Sequence, residues 1–457
     1  MCIALLRRFG PHSSRWIFVI FTLIINLIAI GGARKLHISR KQPNQVHLSY
    51  GATETERVVT WVTLDKTKES AVEYGVSTRD AKASGYASVF VDGGPKKRSM
   101  YIHRVVVRGL THGVTYRYRC GSAEGWSLEF TFKLPRVGDA LTLAVYGDLG
   151  TVNAKSLPAL RSEIQAGQLD AVLHLGDFAY DLDSKDGYVG DAFMRQIEPI
   201  SAYVPYMTAV GNHERKYNYS HYASRFTMLQ KSGKINNFFY SFNLGPAHII
   251  SFASDYYLRK STHVQVRNQF HWLEADLQEA NLPENRNIRP WIITMSHHPM
   301  YCSNKGERDC NLYDSLVRTG LGSKKKYALE KLFRKYGVDL QFTGHQHSYE
   351  RTWPVFNYTV YDNGCLEWYR NPKAPVHIVS GAAGNDEKLK KFPLYQPPWS
   401  AMRRAEYGFC KLRLLNRTHL NLEYITTSQA PEVVDHLTIE KDDPYPCFSK
   451  YRTKESS

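Results

Sequence analysis

The chain of 457 residues has no internal repeat and no low-complexity tract. That excludes solenoid architectures and compositionally driven disorder. It has no nucleic-acid-binding signature, although its formal charge is +16. Its most local cysteine pair, Cys302 and Cys310, is too widely spaced for a paired-cysteine zinc site. An apolar run at residues 16–30 falls short of the ~20 residues that a membrane-spanning helix prefers.

What remains is a chain of ordinary globular composition, long enough for two domains. Lysine and arginine are spread along it, so the charge reads as a solvated surface rather than a polyanion site. The one basic run, Lys324-Lys325-Lys326, is expected to open a helix. Arg7, Arg8 and Arg15 precede the apolar run, and Gly31-Gly32-Ala33 follow it. That order makes residues 1–33 a signal peptide. An uncleaved signal anchor is the alternative, slightly favoured by Arg34 and Lys35. Cleavage removes Cys2 and leaves Cys120, Cys302, Cys310, Cys365, Cys410 and Cys447, an even set that permits three disulfides in an oxidising compartment. Asn218, Asn357 and Asn416 each begin a glycosylation sequon.

Residues 40–135 read as short strands, at 45–50, 57–63, 71–74, 88–92, 103–108, 115–120 and 128–132. Turn signals such as Gly93-Gly94-Pro95 separate them, and Val58 to Thr63 alternate with a period of two. Short strands without a helical period imply a β-sandwich. The segment from Leu110 to Tyr116 looks like the tyrosine corner of fibronectin type III modules, with His112 where proline is usual. After a linker at 135–139 the pattern changes. Strands at 141–146, 171–175 and 205–210 alternate with helices near 155–166 and 188–200, which implies a mostly parallel sheet. Strands at 249–253, 291–295 and 338–343 continue it, with helices between them. The β-rich tail, 376–440, is expected to close a second sheet. Residues 140–440 thus form a second, α/β domain.

Five short motifs follow five apolar strands: Gly147-Asp148-Leu149-Gly150, Gly176-Asp177-Phe178-Ala179-Tyr180, Gly211-Asn212-His213-Glu214, Ser296-His297-His298-Pro299 and Gly344-His345-Gln346-His347. Ligand sites of open α/β sheets lie beyond the carboxyl ends of strands. Glycine before four of the polar residues is expected to let the backbone turn there. The polar groups therefore converge on one crevice. Aspartates, an asparagine carbonyl, a phenol and imidazoles form a mixed hard and borderline ligand set. Seven protein ligands suit two metals, with Asp177 able to bridge them. A phenol, with a pKa near ~10, ligates near neutral pH only beside a strong Lewis acid such as trivalent iron.

In their order, these motifs resemble those of the purple acid phosphatases. The resemblance covers nearly the whole chain and looks closest to the animal long form, the iron/zinc purple acid phosphatase-like proteins. It implies a fibronectin type III-like β-sandwich followed by a metallophosphoesterase-type αββα sandwich. Asp148, Asp177, Tyr180 and His347 match the ligands of a ferric ion. Asp177, Asn212, His297 and His345 match those of a divalent iron or zinc. His213 would touch the phosphate, and Glu214 would orient the ligating groups. The implied reaction is hydrolysis of phosphate monoesters at acid pH, by in-line attack of a hydroxide that the two cations supply.

Substrates would be phosphorylated small molecules or phosphoproteins, with neither nucleic acid nor membrane as partner, in a secreted or lysosomal setting. Two positions depart from the family. Thr294 stands where valine is frequent, and the segment 304–310 lacks the histidines of plant-type members. His213 is then the first choice for the acid that protonates the leaving group, ahead of Glu307 and Asp309; His298 reads as a bystander. A phosphodiesterase of the same class is one alternative reading, against which Tyr180 argues, because many such enzymes carry histidine there. A non-enzymatic extracellular binding protein is another, against which the complete set of seven argues. N-terminal sequencing of exported protein is expected to begin near residue 34; a start at Met1 or Cys2 would mean a retained anchor.

Overall fold

The computed structural model describes residues 39–306, 310, 315–361 and 368–442. The expected signal segment, Cys365, Cys447, Glu307 and Asp309 lie outside these residues. The first part is a β-sandwich. One sheet runs in the order Asn44–Tyr50, Arg57–Thr63, Ser99–Val107 and Tyr86–Val91. The other is built on Ala71–Gly75 and Thr115–Ser122, flanked by Ala81–Ser84, Gly125–Trp126 and Phe130–Lys133. The strands Ala81–Ser84 and Gly125–Trp126 have no counterpart in the sequence reading. Val59, Trp61, Val72, Val105, Tyr118 and Phe132 fill the space between the sheets. The tyrosine corner forms, with the Thr111 backbone N–H donating to the Tyr116 hydroxyl at 3.0 Å.

Every residue of Arg57–Thr63 is buried, on both faces of the strand. The second face is covered by the α/β part. Thr60 Oγ1 and Arg104 Nε both donate to Thr227 Oγ1 at 3.0 Å. Along the same seam Val46 N–H donates to Glu198 at 2.8 Å, and the Tyr118 hydroxyl donates to the Ala202 carbonyl at 2.7 Å.

The α/β part contains two mixed sheets. In the first, Tyr206–Thr208, Ala171–His174 and Leu141–Tyr146 are parallel, followed by antiparallel Gly408–Leu414, His419–Thr426 and Glu432–Glu440. In the second, Ala247–Ser251, Trp291–Met295, Leu340–Thr343 and Val376–Ser380 are parallel, with antiparallel Tyr240–Leu244 on one edge and Tyr349–Thr352 and Ser400–Arg404 on the other. The sheets meet face to face, Tyr349 stacking on Tyr424 with ring centroids 4.0 Å apart. Helices Leu157–Gln165 and Tyr188–Ser201 serve the first sheet; His263–Ala280 and Leu329–Lys335 serve the second. Leu160, Phe193, Ile197, Leu273, Leu277 and Phe333 carry their buried faces into one continuous core.

Two expectations are corrected. The tail from 376 does not close the second sheet alone. Its last three strands extend the first, because Gly408–Leu414 pairs with the edge of Leu141–Tyr146 that the parallel strands leave open. The lysine run does not open a helix. It lies in a turn closed by the Leu321–Lys326 pair, and the helix begins only at Leu329.

The disulfides also differ from expectation. Cys302 and Cys310 are bonded. Cys120 and Cys410 are free and buried, one in the sandwich core and one in the first sheet, so neither takes part in the three bonds that the even count permits. Alkylation of unfolded, unreduced protein is therefore expected to label Cys120 and Cys410, with Cys302 and Cys310 labelled only after reduction, as read by peptide mass.

Candidate metal centre

Three loops of the first sheet and two of the second end at one place. Asp148 follows Leu141–Tyr146, Asp177 follows Ala171–His174, and Asn212 follows Tyr206–Thr208. His297 follows Trp291–Met295 and His345 follows Leu340–Thr343. Asp148, Asp177, Tyr180 and His345 all have left-handed backbones, with φ between 50° and 67°. Such angles are costly for non-glycine residues and persist where the surroundings over-determine them. The turning is thus done largely by the functional residues themselves. Gly176, with φ of 90°, turns as expected, while Gly211 and Gly344 serve close approach: a Cβ on Gly211 would stand 2.2 Å from Asp177 Oδ1, and one on Gly344 2.5 Å from Asp148 Oδ2.

Glu214 laces the loops together. Its carboxylate accepts from the backbone N–H groups of Asp177 at 3.0 Å, Phe178 at 3.1 Å and Gly211 at 2.9 Å. It therefore orients backbone rather than the ligating side chains for which the sequence suggested it. Asp148 Oδ2 accepts from the His345 N–H at 2.9 Å, and Asp177 Oδ1 from the His213 N–H at 2.9 Å.

The side chains form two adjoining groups. In one, the Tyr180 hydroxyl donates to Asp148 at 3.1 Å and lies 2.8 Å from His347 Nε2. In the other, His297 Nε2 lies 3.1 Å from both Asp177 Oδ2 and Asn212 Oδ1. His345 packs against it with ring centroids 5.1 Å apart. Asp148, Asp177 and His297 bring donor atoms within 4.8 Å of one another, as do His297, His298 and His345. His297 Nδ1–H donates to the Leu175 carbonyl at 2.8 Å, and His347 Nδ1–H to that of Lys388 at 2.9 Å. Both imidazoles thereby turn Nε2 into the site, as carbonyl-anchored metal ligands do.

Electrostatics fits a bound cation. Burial would raise the Asp177 carboxyl, but His297, and less strongly His213, hold it below the usual range. Burial likewise opposes charge on His297, yet Asp177 draws it up to about 10; Asp148 raises His347 in the same way. Buried carboxylates here demand positive charge, and protons on imidazoles supply it unless a metal does. Burial, then the negative charge of Asp148 and Asp177, pushes the Tyr180 phenol well above its ordinary value. Only a strongly acidic cation would make it a ligand. The donor set therefore suits two cations, one of them hard.

All seven residues singled out from the sequence meet here, with His213 beside them. His213 Nδ1 lies 2.7 Å from Asp181, and its Nε2 lies 4.0 Å from Asp177 and 3.5 Å from Glu387. Burial opposes its charge, but the Asp181 hydrogen bond and Asp177 raise it to about 9. Asp181 and Glu387 were missed. Asp181 directly follows Tyr180 and could have been noticed; Glu387 comes from a long loop with no pattern to mark it. His298 rests on the His345 ring, centroids 4.1 Å apart, and its Nε2 faces Asp255 at 3.2 Å.

Residues 43–134 match the domain family described as purple acid phosphatase, N-terminal domain. Residues 141–349 match calcineurin-like phosphoesterase, and 374–436 iron/zinc purple acid phosphatase-like protein C. Acid phosphatase type 7 of Homo sapiens is 48% identical over 424 residues, covering 91% of this chain and 95% of that protein. The chain belongs to the purple acid phosphatase family. Fe(3+)-Zn(2+) purple acid phosphatase 12 of Arabidopsis thaliana is 31% identical over 82% of this chain and 80% of its own length. The structure of purple acid phosphatase PPD1 from yellow lupin superposes with a TM-score of 0.73 at 26% identity, covering 88% of this chain and 75% of that one.

Removing the Glu214 carboxylate from this purple acid phosphatase would leave three buried N–H groups without their acceptor. Glu214→Ala is expected to cost roughly 1–3 kcal/mol per orphaned group in urea unfolding and to lower bound metal, with Glu214→Gln milder.

Proposed function

We propose that this chain hydrolyses phosphate monoesters as a metal-dependent acid phosphatase with a ferric ion and a divalent iron or zinc. The observation that carries the reading is the Tyr180 hydroxyl, within hydrogen-bond reach of both Asp148 and His347. Asp148, Tyr180 and His347 would hold the ferric ion, Asn212, His297 and His345 the divalent one, and Asp177 both. When bound, the two cations neutralise phosphate charge and acidify water.

The chain's own residues supply the rest. Asp181 fixes the His213 ring through Nδ1, which aims Nε2 toward the space beside Asp177. From Nε2 the imidazolium binds a phosphoryl oxygen and protonates the departing alkoxide, help typically worth ~10²–10⁴ in rate. Glu214 keeps the Asp177 and Asn212 loops in register. Substrates are phosphorylated small molecules or phosphoproteins. A secreted or lysosomal location is supported by the Cys302–Cys310 bond and by the exposure of the sequon residues Asn218, Asn357 and Asn416. Among the described residues no helix is long and apolar enough to cross a membrane.

The test is purified protein, measured for metal content, visible absorption and turnover of an aryl and an alkyl phosphate. Iron and a tyrosinate charge-transfer band are expected, and Tyr180→Phe is expected to bleach the band. His213→Ala is expected to slow the alkyl ester more than the aryl ester, whose leaving group needs no proton. An active, colourless protein without iron would refute the ferric assignment.

A further inference from the structure

None of the seven proposed ligands comes from the sandwich, yet the sandwich reaches both loops that carry the most exposed members of the site. Its tip is the turn at residues 92–98, which joins Tyr86–Val91 to Ser99–Val107. On one side this tip meets the segment from Tyr180 to Gly187. Arg98 Nη1 donates to the Asp186 carbonyl at 2.7 Å, Nη2 donates to Asp191 at 2.7 Å, and the guanidinium lies 3.6 Å from the centre of the Tyr188 ring. Lys96 adds its backbone N–H to Asp186 Oδ1 at 3.3 Å and its ammonium to Asp186 Oδ2 at 3.2 Å.

On the other side the tip meets the segment that follows His213. The Tyr217 ring rests on Gly93 so closely that a Cβ there would come within 2.2 Å of it. Asp92, fully buried, accepts from His221 Nε2 at 2.7 Å. Arg225 joins both sides, contacting Asp191 at 2.9 Å, the Gly187 carbonyl at 3.1 Å and Gln45 of the sandwich at 3.2 Å.

Both held segments are strained. Lys185 and Asp186 have left-handed backbones, as do the consecutive residues Tyr217, Asn218 and Tyr219. Each left-handed non-glycine residue costs about 1–2 kcal/mol. Such conformations last only where neighbours impose them, and here the tip is a principal neighbour. The segments join at the site through Asp181 and His213, 2.7 Å apart, and through the Tyr180 and His213 rings, in contact at a tilt with centroids 4.3 Å apart.

We infer that the sandwich tip is a positioning element for the catalytic loops, with Arg98 and the Gly93–Tyr217 contact setting where Tyr180 and His213 stand. The inference rests on the metal-dependent phosphatase reading. Neither Arg98 nor Tyr217 touches the reacting atoms; each acts through the segment it holds.

The experiment uses the full-length, metal-loaded protein with Arg98→Ala, Arg98→Lys and Tyr217→Ala, and with Arg119→Ala as control, since Arg119 pairs only within the sandwich, with Glu73. For Arg98→Ala and Tyr217→Ala, kcat on an aryl phosphate is expected to fall ~10-fold or more, as small misplacements of catalytic groups do. KM and metal content are expected to hold, the tyrosinate band to shift, and amide exchange in residues 180–187 and 212–219 to rise. Arg98→Lys is expected to recover part of kcat, because an ammonium can reach one of the two acceptors.

Wild-type kcat, band and exchange in both alanine variants would overturn the inference. So would losses that only track unfolded or metal-free protein. Tyr217 is 39% exposed, so Tyr217→Ala decides the matter if Arg98→Ala does not fold. A wild type without iron or activity would sink the phosphatase reading instead, while the exchange comparison would still judge the tip.

Discussion

Two carboxylates, Asp148 and Asp177, are buried where the ends of two sheets meet, and neither has a lysine or arginine beside it among the contacts of the centre. Negative charge in so dry a place is tolerable only if something positive is brought to it. The surrounding chain is arranged to that end. The imidazoles of His297 and His347 come from the second sheet, each with Nδ1 tied to a backbone carbonyl, and His213 comes from the first with Nδ1 tied to Asp181. Backbone N–H groups converge on the carboxylate oxygens, and Glu214, itself buried and raised to about 8 by burial and by Asp177, gathers three more. The left-handed residues and the tightly apposed glycines follow from the same demand, since five loops must reach one small volume.

Much of this was legible in the sequence, for physical reasons. Apolar strands such as Leu141–Tyr146 and Trp291–Met295 are buried on both faces and so read as continuous runs. Polar motifs directly after such runs can only lie at strand ends, which is why the five loops that meet at the centre could be named without coordinates. The tyrosine corner was legible because one local hydrogen bond defines it.

Other features were hidden because distant chain segments create them. Arg57–Thr63 is buried on both faces because residues 224–227, far along the chain, cover one of them. Glu387 reaches His213 from a loop without periodicity, so nothing in its neighbours marks it. The destination of the strand Gly408–Leu414 depended on which sheet edge lay open, and alternation within the strand is the same for either partner. A cysteine count could not show that Cys120 and Cys410 belong to different packed regions.

The placement of that late strand bears on how the protein is made. Leu141–Tyr146, whose loop carries Asp148, has Ala171–His174 on one side and Gly408–Leu414 on the other. During vectorial synthesis the sandwich and the first parallel strands emerge long before the strand that completes their sheet. The central strand must wait with one edge unpaired while more than half of the chain is still to be translated, the kind of non-local pairing that slows folding and exposes an aggregation-prone edge. A chain that ends before Gly408–Leu414 lacks the strand that pairs with this edge, and with it the wall behind the loop of Asp148.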